Sequence, residues 1–244
     1  MKVDIWSDFA CPFCYIGKRK FEAALKQFPH GDQVQVGFRS FELAPDAEKK
    51  TGKDINTVLA EKYGMPYERA KQMNEQVTMQ AAEVGLEYHM DNVIPTNTHD
   101  AHQLTQFAKQ HGKGNELAER LFQAYFTEGL DLGDHPTLAR LSAEVGLNEQ
   151  EALRVLEEGA FDSAVIGELQ QGARLGITGV PFFVFNDKYA VSGAQPSGTF
   201  LEVLEQVWQE EQQQPLQVIS GQAGGNSDTG PNSDPSCSDG SCSV

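Results

Sequence analysis

The sequence predicts an α/β fold: a mixed sheet built from the two ends of the chain, a large all-helical insertion between them, and a flexible C-terminal tail. Three observations carry this reading. Strand-like apolar patterns occur only near residues 2–6, 34–41 and 180–192. Between the second and third regions the apolar residues recur at helical spacing. Past Gln212 the composition turns to Gln, Gly, Ser, Asn, Asp and Pro, which cannot bury enough apolar surface to order itself.

The first strand is Lys2 to Trp6, with Val3 and Ile5 on one face. A helix follows from Pro12 to about Phe28, where Phe21, Leu25 and Phe28 are spaced four and three apart. Pro29 to Gln33 breaks it. Val34, Val36 and Phe38 alternate with Gln35 and Gly37 as a second strand, which Ala44-Pro45 ends. Helices are then predicted over Ile55–Tyr63 and over Pro66–Val84, the latter with Ala70, Met73, Val77 and Ala81 as its stripe. Others follow over Thr98–Gln110 and Asn115–Thr127. Asp134 caps one with Pro136 near its start; Asn148 and Glu151 form a capping-box pattern; Asp162 caps the last, to about Leu175. Strands return at Val180–Phe185 and Tyr189–Ser192, joined by a turn at Asn186-Asp187-Lys188. Pro196–Gln209 is a closing helix. The expected division is 1–45 and 176–210 for the two halves of the sheet domain, 46–175 for the helical insertion, and 211–244 for the tail.

The balance of 19 basic and 35 acidic side chains gives a formal net charge of -16. No basic stripe exists to neutralise phosphates, which argues against nucleic acid and against an anionic membrane surface. No apolar run is long enough to span a bilayer. The residues after Met1 enter a strand without a basic or apolar leader, so the expectation is a cytoplasmic protein. In that compartment a cysteine pair is expected to be catalytic or metal-binding rather than a structural disulfide.

The chemistry centres on D-F-A-C-P-F-C. Cys11 and Cys14 sit where the first strand turns into the first helix. Pro12 suits the first helical position, which places Cys11 at the N-cap. Unpaired N–H groups and the positive helix end then face its sulfur and favour thiolate, the nucleophilic form. The two-residue gap brings Cys14 round one turn, within reach of Cys11. Half of a zinc site is the competing reading, since Cys237 and Cys242 supply a second pair. A C-x-x-C that opens a regular helix, with Pro inside it, fits redox chemistry better, and no metal is expected.

These residues resemble the DsbA-like thiol:disulfide oxidoreductases of the thioredoxin superfamily. The resemblance rests on C-P-F-C after a strand, G-V-P-F-F-V-F at Gly179–Phe185, the place of the helical insertion, and S-G-A-Q at Ser192–Gln195. R-S-F-E-L-A-P at Arg39–Pro45 and N-T-H-D-A-H-Q-L at Asn97–Leu104 most resemble its cytosolic FrnE-like branch. The resemblance covers nearly all of residues 1–210. It implies a thioredoxin-like sheet and a cis Val180-Pro181 bond packed against the Cys11 turn. It also implies that Pro12, Phe13 and Val180 meet an extended substrate, Val180 through its backbone. His102 is expected to line the pocket. One departure matters: periplasmic DsbA has His between Pro and the second Cys, and this chain has Phe13, which cannot donate to the thiolate. A strongly oxidising site is therefore not implied.

The expected function is protein disulfide exchange and isomerisation on clients with thiols or disulfides. No organic cofactor is needed; glutathione or a thioredoxin-type reductant would serve as redox partner. Two other classes stand beside it: a glutathione-dependent isomerase or transferase of the same fold, and a peptide-binding chaperone. A resolving Cys14 argues against a stable glutathione adduct, and a chaperone would work without either cysteine. His99 and His102 form H-x-x-H but lack a third ligand in view. Asp4, Asp8 and Arg39 lie near the catalytic strand, and the residue that takes the Cys14 proton is not legible. Cys237 and Cys242 form a C-x4-C, expected to act as a secondary redox pair. A tether of their distance from Gln212 spans about 25–30 Å.

Overall fold

The computed structural model describes residues 1–49 and 51–212. The tail beyond Gln212, with Cys237 and Cys242, lies outside them. Two strands open the chain, β1 (Lys2–Ser7) and β2 (Gln35–Ser40), separated by α1 (Pro12–Gln27). Seven helices follow: α2 (Ile55–Tyr63), α3 (Tyr67–Glu83), α4 (His99–Gln110), α5 (Gly114–Phe126), α6 (His135–Glu144), α7 (Glu149–Glu158) and α8 (Asp162–Arg174). The chain then returns to the sheet with β3 (Phe182–Phe185) and β4 (Tyr189–Ser192), and α9 (Ser197–Gln212) closes it.

The sheet order is β2-β1-β3-β4. β1 and β2 run parallel, Ile5 opposite Phe38; β3 is antiparallel to β1, Ile5 opposite Phe183, and β4 is antiparallel to β3. The hairpin turns through Asn186 and Asp187 at φ 49° and 54°. Two left-handed residues in succession give the turn whose twist matches the strands, and Asn and Asp tolerate it.

Period-two alternation gives the sheet two different faces. Val3, Ile5, Phe183 and Phe185 are buried on one side, where Phe21 of α1 and Phe200 of α9 meet them edge-on or tilted at 4.6–6.1 Å between ring centres. Trp6 and Val184 are buried on the other with Ile177. There Trp6 Nε1 donates to the Glu168 carbonyl at 3.3 Å. α8 comes close because residue 172 is glycine: a Cβ there would stand 2.9 Å from Trp6 Nε1.

The helix boundaries follow the expected caps, with instructive differences. Asp54, Asp134 and Asn148 accept backbone N–H groups at the starts of α2, α6 and α7. Asp162 does not cap α8. It is the first helical residue, and its carboxylate is taken by His99 Nε2 at 2.6 Å. On α3, Ala70 and Ala81 are buried but Met73 is exposed, and the buried neighbour is Asn74. Asn74 Nδ2 donates to Asn56 Oδ1 at 2.7 Å, so a polar pair joins α2 and α3 where an apolar stripe was expected.

Candidate active site

β1 ends at Ser7, and the turn Asp8-Phe9-Ala10 delivers the chain to α1. Cys11 is the N-cap, with extended backbone at φ -95° and ψ 110°, and Pro12 occupies the first turn. The Cys11 N–H donates to the Asp8 carbonyl at 3.0 Å, which closes the turn. Cys14 lies one turn on, and the two cysteines approach to 3.5 Å as free thiols. Cys11 keeps 5% of its surface exposed and Cys14 1%, so the first sulfur is more covered than its N-cap position suggested. Phe13, between them, is 38% exposed.

The second wall comes from the far end of the chain. The Val180-Pro181 peptide bond is cis. The Cys11 thiol points at the Val180 carbonyl, 3.6 Å away. Pro181 is buried against α1 at Gly17, where a Cβ would stand 3.0 Å from Pro181 Cγ. The Pro181 carbonyl accepts from Gly193 N at 2.8 Å, which ties this loop to the residue after β4. Val180 thus stands beside the Cys11 sulfur, and Pro12 and Phe13 follow Cys11 in the first turn of α1.

Beneath the cysteines lies a buried polar group set. Asp8 Oδ1 accepts from Ala10 N at 3.1 Å and Thr98 Oγ1 at 2.9 Å, and Oδ2 accepts from Leu43 N at 2.7 Å. Burial pushes its carboxyl upward, but nearby His102 and these backbone donors outweigh that, so Asp8 titrates below the ordinary range. His102 Nε2 is 3.9 Å from Asp8 Oδ1, beyond hydrogen-bond distance, and its ring packs on Phe9 at 4.8 Å. Burial, and then the neighbouring Cys11 sulfur, hold the Cys14 thiol well above its ordinary range; the Ser7 side chain and the Asp8 backbone act in the opposite direction. Cys14 is thus kept protonated until something removes its proton.

A family model for a DSBA-like thioredoxin domain matches residues 2–205. The chain belongs to this family. Among solved structures, the DSBA-like chain is similar to a probable DsbA oxidoreductase, SCO1869, from Streptomyces coelicolor. The two are 39% identical with a TM-score of 0.84, over 91% of this chain and 95% of the other. It is 32% identical to the uncharacterised protein YwbO of Bacillus subtilis (strain 168), over 81% of this chain and 92% of that one. Cytosolic disulfide reductase DsbM from Pseudomonas aeruginosa, solved with glutathione, matches at TM-score 0.60 and 16% identity, over 86% and 100% of the two chains. That likeness is one of fold. DSBA-like thiol:disulfide oxidoreductases act through thiol or disulfide clients, and the adjacent Cys11 and Cys14 suit that general reaction.

Several residues that shape the DSBA-like site were not singled out by the sequence. Tyr88 Oη donates to the Pro12 carbonyl at 2.8 Å and stacks on Phe126 at 4.6 Å, clamping the first turn of α1. Tyr15 Oη donates to Glu119 Oε1 at 2.6 Å and ties the next turn to α5. Glu168, reaching from α8, gathers Arg39, Ser40, Gln106 and Lys109. No sequence pattern marks these partners, because each contact joins distant segments. His99 is held between Glu42 Oε1 at 2.7 Å and Asp162 Oδ1 at 2.6 Å, so the H-x-x-H pair points to separate tasks. Among the described residues no group of three or more His, Cys, Asp or Glu could hold a metal, and no helix is long and apolar enough to cross a membrane.

Proposed function

We propose that this chain is a cytoplasmic protein thiol:disulfide oxidoreductase with isomerase capability, acting on extended segments of client proteins. The observation that supports it most is the alignment of the Cys11 thiol on the Val180 carbonyl beside Pro181, with Cys14 3.5 Å behind. A client strand laid along Val180 would present its sulfur to Cys11, with Pro12 and exposed Phe13 forming the apolar rim.

In the reducing direction the Cys11 thiolate attacks a client disulfide. The Cys11–client bond forms as the client S–S bond breaks, and the second client sulfur leaves with that electron pair and takes a proton. Cys14 then gives up its proton and attacks Cys11. The Cys11–Cys14 disulfide forms and the first client sulfur leaves reduced. Oxidation is the reverse. Isomerisation uses the first step alone, when a second client thiol displaces Cys11 before Cys14 acts. Glutathione or a thioredoxin-type protein would reset the pair, and no resident cofactor is required.

The test is Cys14→Ser, which should accumulate covalent client adducts through Cys11, while Cys11→Ser should abolish exchange. Adducts formed by the Cys11 variant and not by the Cys14 variant would reverse the assignment. A reduction potential measured in glutathione buffer then tells oxidase from reductase use.

A further inference from the structure

Between β1, β2 and α4 lies a small cavity of about 10 Å³, near the size that holds one water. Ser7, Arg39, Ser40, His102, Thr105 and Lys109 contribute its polar lining. Four of these are committed elsewhere. Arg39 binds Asp4 and Glu168, Ser40 binds Glu168, Thr105 binds the Ala101 carbonyl, and Lys109 binds Glu168 and Gln106. The remaining two, Ser7 Oγ and His102 Nε2, are buried with no hydrogen-bond partner among the described residues. Buried polar atoms are nearly always paired, and two unpaired ones on residues that line one water-sized cavity, otherwise walled largely by Phe9 and Phe38, call for a shared partner. Ser7 also stands next to Cys14 closely enough to favour its thiolate, although no directed hydrogen bond joins them.

We propose that Ser7 and His102, bridged by one water in this cavity, relay the proton of Cys14. The inference rests on the exchange reading above. Asp4 of β1, also buried, is engaged by Arg39 at 3.0 Å and Lys2 at 2.6 Å, so its oxygens are already taken. In the resolving step the Cys14 S–H bond breaks, and the proton passes through the Ser7 hydroxyl and the water to His102 Nε2. The freed sulfur pair forms the Cys14–Cys11 bond. The Cys11–client bond breaks, and the client leaves as a thiolate with its electron pair. In the reverse reaction the imidazolium returns the proton to Cys14. Asp8, ionised 3.9 Å from Nε2, stabilises the imidazolium. The positive groups facing the cavity, Arg39 from β2 and Lys109 from α4, oppose it, but both are paired with Glu168 of α8 at 2.9 and 2.8 Å.

The test is single-turnover resolution of a preformed Cys11–peptide mixed disulfide, followed from pH 6 to pH 10 in the parent, Ser7→Ala, Ser7→Thr and His102→Gln. The relay predicts that Ser7→Ala and His102→Gln slow Cys14 attack about 10-fold or more near pH 7, with parent and variants converging towards pH 10 as hydroxide takes over. Ser7→Thr, which keeps the hydroxyl, should retain most of the rate. Formation of the mixed disulfide by Cys11 should stay within about 2-fold throughout. Equal resolution rates, or a deficit constant across pH, would overturn the relay while leaving the exchange reading intact. Failure of the parent itself to form a mixed disulfide refutes both. If His102→Gln does not fold, Ser7→Ala decides alone by the same criteria.

Discussion

Gly17 and Pro181 fit against each other so closely that a single added methyl group would stand 3.0 Å from the proline ring. The contact joins the catalytic helix to the loop that faces Cys11, from opposite ends of the chain. It also explains a glycine in mid-helix, where it otherwise costs about 1 kcal/mol relative to alanine.

Gly17→Ala should therefore separate stability from activity. The gain in helix propensity, about 1 kcal/mol, offsets much of an overpacking cost of about 1–3 kcal/mol. A small fall in Tm is expected, with exchange slowed about 10-fold because Pro181 and Val180 must shift from Cys11. Thermal unfolding and single-turnover exchange on the same preparation test this. An unchanged rate would show that the position of Pro181 against α1 does not matter.

Phe13→His should make the pair more oxidising. A His between Pro12 and Cys14 can donate to the Cys11 thiolate, which stabilises the reduced form. A charge-assisted hydrogen bond is worth about 1.5–3 kcal/mol, or about 30–60 mV for a two-electron couple. Equilibration with glutathione measures it, and a potential that fails to rise would show that exposure of position 13 screens the new donor.

Glu168→Gln should destabilise the fold by about 3 kcal/mol, because it takes the carboxylate from Lys109 and leaves Arg39 with Asp4 alone. Burial pushes the Glu168 carboxyl up, but Lys109 and Ser40 outweigh this and hold it at about 2. Its value is lower folded than unfolded, so its contribution is present above the ordinary Glu range and lost as pH falls from about 4.5 towards 2. Lys109 is pulled down by its own burial despite Glu168, so the cluster as a whole contributes less than the carboxylate alone. Urea unfolding of parent and variant should show a gap near pH 7 that narrows near pH 3.

His99→Gln should show the opposite pH dependence. Burial opposes protonation of His99, but Glu42 and Asp162 outweigh it and raise its value. A raised value contributes stability that is full below the unfolded value, near 6.5, and disappears as pH rises through the folded one. The variant should lose about 1 kcal/mol at pH 5.5 and little at pH 9, since Asp162 is exposed and screened. A loss equal at both pH values would mean that the ring serves by packing alone.

What the sequence determined by itself was local. Strand, N-cap, proline and second cysteine follow within fourteen residues, so the placement of Cys11 and Cys14 is readable from neighbouring residue types and periodicity. The helical insertion was readable for the same reason, since helix caps and 3.6-residue spacing are short-range signals. Even there, distant partners decide burial on α3 and capping at α8: Asn74 faces inward because Asn56 waits for it, and Asp162 serves His99 instead of capping its own helix. The resemblance pointed to His102 as lining the pocket, but the tertiary structure decided which groups meet it beneath the cysteines. Ser7 on β1, His102 on α4, Glu168 on α8 and Gly17 against Pro181 meet only after the insertion folds over the sheet. A hydrogen bond or a methyl-sized gap depends on distance in space, which residue spacing along the chain does not encode.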